Sequence, residues 1–99
     1  MATDKAVLED VMASLSDLGG VCYRPMMGEY LLYYRGRVVG GLYDNRLLVK
    51  ATASARAALP EAAEELPYPG GKPMLRVPDA ADPALRQRAV CSVFDEQQA

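Results

Sequence analysis

The chain contains no histidine, and that single absence removes the commonest general base, the commonest metal ligand, and both Ser-His and Cys-His nucleophilic arrangements. Cysteine is nearly as scarce. Cys22 and Cys91 stand far apart with no CxxC spacing, too few for a disulfide scaffold or a structural zinc site, so both are expected to be reduced core side chains. No apolar run approaches the roughly 20 residues that cross a bilayer. The opening Met1-Ala2-Thr3-Asp4-Lys5 lacks the basic and apolar segments of a secretion signal, and a cytoplasmic chain is expected.

Catalytic and cofactor motifs are also missing. Pro69-Gly70-Gly71-Lys72 is followed by Pro73, so the GxxxxGK spacing with a following Ser or Thr, which cradles a triphosphate, is absent. The neighbouring acids Glu9-Asp10, Glu64-Glu65 and Asp95-Glu96 would point about 100° apart on a helix and converge on no proton or metal. Asp79 and Asp82 lack the rest of a calcium loop. Neither catalytic residues, a metal nor a cofactor is expected.

What is present suits one folded unit. Ninety-nine residues, 51% of them hydrophobic and 24% charged, fit a single domain spanning 1–99. The net charge of -2 argues against a surface coated in phosphate-binding groups. Residues 21 to 50 nevertheless hold Arg24, Arg35, Arg37, Arg46 and Lys50 against Glu29 and Asp44, a local +3 that leaves -5 elsewhere.

Val7, Leu8, Val11, Met12, Leu15 and Leu18 recur at helical spacing, with Thr3 or Asp4 as cap and Gly19-Gly20 as stop. From Val21 the period becomes two, which predicts strands over Val21 to Arg24, Glu29 to Tyr34, Arg37 to Tyr43 and Arg46 to Lys50. Arg35-Gly36 and Asp44-Asn45 read as two-residue hairpin turns, so the strands form an antiparallel meander. Met26-Met27 read as core gap fillers, and Gly40-Gly41 as a bulge or close contact. Thr52 or Ser54 opens a short helix that Pro60 stops, with Glu61 to Glu65 as a further helical turn. Met74 to Val77 reads as an edge strand, and Asp82-Pro83 opens a last helix with Leu85, Ala89, Val90, Val93 and Phe94 on its apolar face.

If the two turns alone set register, Leu31, Tyr33, Val38, Gly40, Leu42, Leu47 and Val49 share one face, which should lie under the helices. The other face collects Tyr30, Leu32, Tyr34, Arg37, Val39, Gly41, Tyr43, Arg46, Leu48 and Lys50, too polar for core and too apolar for ordinary surface. Such a face, left open in a two-layer domain, is a candidate for dimerisation, partner docking or stacking of nucleic-acid bases.

Several residues also form a pattern: Tyr23-Arg24, Met26-Met27-Gly28, Tyr30, Leu32-Tyr33-Tyr34, Gly36, Asp44, Leu47, Lys50, and then Tyr68, Gly70, Lys72 and Met74. The Tyr-Arg-x-Met-x-Gly and Tyr-x-Gly-x-Lys-x-Met stretches resemble the TfoX/Sxy N-terminal domain of bacterial competence regulators. The resemblance implies an α+β fold, two-layered and secretion-chaperone-like, with a curved antiparallel sheet and its helices on one side. It implies transcriptional regulation of competence through protein contacts, in relatives that carry a second domain. Arg24, Lys50 and Lys72 match its basic positions. Brought together, they would favour an anionic ligand or acidic partner; otherwise Arg24 pairs with Glu29 and the lysines are exposed ends. The expected binding set is Arg24, Tyr30, Tyr34, Arg37, Tyr43, Arg46, Lys50 and Lys72. The expected partner is a protein, in the transcription machinery or a second copy, with direct nucleic-acid binding or a small anionic-ligand or enzymatic site as alternatives, and no membrane.

Overall fold

Two-residue turns organise the middle of the chain. In a computed structural model, which describes residues 2–79 and 82–98, strands β1 (Val21–Met26), β2 (Glu29–Tyr34), β3 (Arg37–Tyr43) and β4 (Arg46–Lys50) follow one another as antiparallel hairpins. Each connector holds both residues at positive φ: Met27 and Gly28 at 52° and 86°, Arg35 and Gly36 at 50° and 82°, Asp44 and Asn45 at 52° and 63°. That is the turn whose twist matches the right-handed twist of the strands. The first of these turns escapes the sequence pattern. β1 runs on through Pro25 to Met26, because β1 is an edge strand and tolerates a residue with no N–H.

Helix α1 (Lys5–Leu15) precedes the sheet. Helix α2 (Ala53–Ala58), strands β5 (Glu64–Glu65) and β6 (Met74–Arg76), and helix α3 (Pro83–Gln98) follow it. The sheet order is β1-β2-β3-β4-β6-β5. Residues 61 to 65 therefore do not extend a helix. Glu64 and Glu65 pair with Leu75 and Met74, which makes β5 the edge and moves β6 inside. The architecture is α+β, a six-stranded antiparallel sheet with three helices packed against it.

The helix ends are tied in unequal ways. The Thr52 hydroxyl accepts from the Ala55 N–H at 3.0 Å, while Ser54 donates its N–H to Glu96 of α3 at 2.7 Å. Asp82 caps α3 by accepting from the Leu85 N–H at 2.9 Å. At α1 neither expected residue caps through its side chain. Thr3 instead donates to Glu29 at 2.6 Å and accepts from the Asn45 N–H at 3.2 Å, tying the chain start to the second strand and the β3–β4 turn. Glu29 also accepts from the Asp44 N–H at 2.9 Å. It is thus not the partner of Arg24.

The core unites Leu8, Val11 and Leu15 of α1 and Ala89, Val90 and Val93 of α3 with Leu32, Tyr34, Val39, Leu42, Leu47, Val49, Leu75 and Val77. Tyr34 packs edge-on against Phe94, centroids 4.9 Å apart. Half of the expected face assignment is therefore inverted. Tyr34 stands opposite Arg37 and Tyr33 opposite Val38, as the turn dictates, but Leu32 then pairs with Gly40. Val39 is the extra residue of a β-bulge, so relative to the uninterrupted pairing of Gly40 to Tyr43 with β4, Tyr30 to Tyr34 and Arg37 to Val39 all lie on the face opposite to the expected one.

Glycine permits this bulge. A Cβ on Gly40 would stand 2.2 Å from the Leu48 carbonyl oxygen and 2.9 Å from the Val49 Cα, so β3 and β4 approach too closely for any side chain.

Candidate binding face

Opposite the helices the sheet presents Arg24 of β1, Leu31 and Tyr33 of β2, Val38, Gly41 and Tyr43 of β3, Arg46, Leu48 and Lys50 of β4, and Met74 and Arg76 of β6. Leu48 and Tyr43 are buried there, although neither belongs to the helix-side core. Tyr43 achieves this by lying over Gly41, where a Cβ would meet its ring at 2.7 Å.

Residues 66 to 73, which join β5 to β6, fold back beside this face. Tyr68 brings its ring to 6.2 Å from that of Tyr43, inclined by 57°. Ion pairs anchor the base of the segment: Arg46 bonds Glu65 at 2.7 Å and the Leu66 carbonyl at 3.3 Å. Arg76 bonds the other Glu65 oxygen at 3.3 Å and Asp79 at 2.9 Å. The hydrogen bond from Arg46, with Arg76 beyond it, holds the Glu65 carboxyl below the usual carboxylate range. Burial, reinforced by Tyr68 and Glu29, raises the Tyr43 phenol.

Between the segment and the sheet lies a cleft of about 700 Å³, lined by Val38, Tyr43, Lys50, Tyr68, Lys72 and Met74 among others. Two smaller grooves adjoin it at Pro67 and Tyr68. One is bounded by Met26, Met27 and Glu29, the other by Asp44, Arg46 and Leu66.

Of the residues expected in the site, Arg24, Tyr43, Arg46 and Lys50 lie on the uncovered face, and Lys72 lines the cleft with Lys50. Arg24 does not line that cleft. It sits on the far edge strand with its guanidinium 5.9 Å from the Tyr33 ring. Tyr30 and Tyr34 are turned to the helix side by the bulge, Tyr34 inside the core. Arg37, opposite Tyr34, is exposed beyond that same side.

Two core assignments also fail. Cys22 is exposed on β1, and Met27 is 98% exposed at the tip of its turn. Leu31, Tyr33 and Tyr68 enter the face unanticipated. The Gly40-Gly41 pair was the signal that could have found the first two, because it marks the bulge that exchanges them with Tyr30 and Leu32.

The profile of the TfoX N-terminal domain matches residues 13–90, a span holding the whole sheet, the folded-back segment and the first half of α3. The chain belongs to the TfoX N-terminal domain family. It is also 36% identical, over 86 residues, to an uncharacterized 12.7 kDa protein in the trpE 5′ region of Spirochaeta aurantia, an alignment covering 87% of this chain and 75% of that protein. Among the described residues of this TfoX N-terminal domain, no three His, Cys, Asp or Glu gather as a metal site. No helix among them is long and apolar enough to cross a membrane.

Proposed function

We propose that this chain is a non-catalytic binding domain that contacts a protein partner through the uncovered sheet face, in the regulatory role its family resemblance implies. One observation carries the reading. Four large hydrophobic side chains are exposed among the described residues, and three of them, Met27, Leu66 and Tyr68, line the two grooves that meet at Pro67. Met27 is the most telling. Its φ of 52° suits glycine or asparagine and costs methionine about 1 kcal/mol, and burial returns nothing. Folding alone gives no reason for an apolar side chain there, whereas methionine and tyrosine are favoured at the centres of protein contacts.

Nucleic acid fits the face less well. Arg46 and Arg76 are paired with Glu65 and Asp79, which leaves Arg24, Lys50 and Lys72, too few for the row of phosphate contacts that sustains binding in an acidic chain.

The test begins with crosslinking capture of a partner from native cytosol and continues with that partner purified. Its affinity should fall by about 2 kcal/mol, the scale of a contact hot spot, in the double variant Met27→Asp, Tyr68→Ala, with the melting temperature unchanged. Equal affinity of wild type and variant would refute the assignment. Self-association that the same variant abolishes would make the occupant a second copy.

A further inference from the structure

We infer that the 700 Å³ cleft beside Lys50 and Lys72 is a binding site for a small aromatic anion, a flat ring bearing a carboxylate or phosphate. This goes beyond the protein contact, which uses the grooves on the other side of Tyr68.

Charge is the first argument. The chain has 13 acidic residues, yet those lining this cleft include two lysines and no carboxylate, whereas each adjoining groove contains Glu29. Four arginines are occupied, Arg46 by Glu65, Arg56 by Glu64, Arg76 by Glu65 and Asp79, and Arg86 by Asp10, and none of the cations left unpaired among the described residues lines this cleft except Lys50 and Lys72. Lys50 and Lys72 form no ion pair among the described residues. A concave wall bearing charge of one sign focuses its field on the enclosed volume, and here that field attracts an anion.

Shape and lining supply the second argument. The volume lies within the roughly 300–1,000 Å³ of small-molecule sites, which join apolar and aromatic walls to a few polar groups. Val38, Met74 and the Tyr43 and Tyr68 rings form the apolar part. Two inclined rings 6.2 Å apart suit a third aromatic group, since aromatic rings prefer offset or edge-to-face arrangements. Neither tyrosine hydroxyl is hydrogen-bonded among the described residues, so each adds a donor to the two ammonium groups. These four groups that line the cleft can all donate, which favours a ligand rich in acceptors.

The segment is shaped to hold this wall. A Cβ on Gly71 would meet the Pro67 and Tyr68 rings at 3.0 and 3.1 Å, so glycine there lets the turn close tightly behind Tyr68. Its N–H bonds the Tyr68 carbonyl at 3.0 Å. Two lysines and two aromatic rings lining one cleft match one anionic group on one ring; a nucleic-acid strand would need a longer basic track.

The test is a titration of the full-length, isotope-labelled chain followed by amide chemical shifts, with phenyl phosphate and benzoate as probes and inorganic phosphate and benzyl alcohol as controls. Phenyl phosphate should move the Lys50, Gly70, Gly71 and Lys72 amides saturably and bind about tenfold more tightly than either control. The Lys50→Ala, Lys72→Ala double variant should lose at least that factor, the Lys→Arg pair should retain binding, and Arg88→Ala on α3 should bind as wild type. Inorganic phosphate binding as tightly as phenyl phosphate would overturn the aromatic part. Shifts scattered over the surface, or undiminished binding by the Lys→Ala pair whose spectrum remains that of the folded protein, would overturn the site.

Discussion

Replacing Gly40 by alanine should destabilise the domain by about 3–5 kcal/mol, far more than a methyl group in a strand normally costs. The added Cβ would stand 2.2 Å from the Leu48 carbonyl oxygen and 2.9 Å from the Val49 Cα. Both obstacles are backbone, so no side-chain rotation relieves them, and β3 must move about 1 Å off β4 to restore van der Waals contact. That displacement strains the ladder at the Gly40–Val49 pair. Two weakened ladder hydrogen bonds cost about 1 kcal/mol each, and overpacking a close-fitted site adds about 1–3 kcal/mol. Against the roughly 5–15 kcal/mol that holds a domain of this size, the loss is readily measured. Urea unfolding followed by circular dichroism should show a lower midpoint with an unchanged slope. Gly70→Ala is the control: its φ of 85° penalises alanine, but nothing lies within 4 Å of the new Cβ, so it should cost only about 1 kcal/mol. If Gly40→Ala were no worse than Gly70→Ala, close strand approach would not be what demands glycine at the bulge.

Glu65→Gln should cost about 1–2 kcal/mol, because it removes the charge from a pair of partly buried, charge-assisted contacts with Arg46 and Arg76. The pH dependence has a definite sign: the folded pKa is depressed, so the stabilisation is full above the unfolded value of about 4.3 and is lost as pH falls through the lower folded value. Denaturation midpoints taken from neutral to acid pH should show a smaller acid loss in Glu65→Gln; equal losses would discount the cluster. Tyr43 is the opposite case. Its phenol is raised by burial, then by Tyr68 and Glu29, so its contribution is full below the unfolded value of about 10 and is lost as pH rises through the folded one. In an ultraviolet phenolate titration, Tyr43→Phe should remove a late-ionising tyrosine; loss of an ordinary one would contradict its position over Gly41.

Local signals were legible where sequence neighbours settle the matter. The stripe from Val7 to Leu18, which spans α1 and the turn after it, and the α3 stripe from Leu85 to Phe94 predict faces that do pack inward, because helical period is an intrinsic property of contiguous residues. Arg35-Gly36 and Asp44-Asn45 mark hairpins for the same reason. Met27-Gly28 escapes the pattern because methionine is an unusual left-handed residue, so the sequence predicts an end to β1 at Arg24, short of Pro25 and Met26. Glu64-Glu65 looked helical by composition. Its strand state depends on β6 and on arginines 19 and 11 positions away, which no local window contains.

The binding face was legible as a kind of surface but not as a set of residues. Alternation in β2 permits two opposite readings, since both Leu31-Tyr33 and Tyr30-Leu32-Tyr34 are apolar, and only the single residue added at Val39 decides between them. One inserted residue therefore moves Tyr34 from partner contact to core and brings Tyr33 to the surface. The β4 positions escaped this ambiguity because Gly40 to Tyr43 pair with Arg46 to Val49 without interruption, and Arg46 and Lys50 emerged on the expected side. Lys72 and Tyr68 reach the face by a different route, through a folded-back segment whose only local sign is its density of proline and glycine. The cleft thus joins one lysine placed by strand register to another placed by a turn, and this is why both line it while Arg24, on the same face, does not.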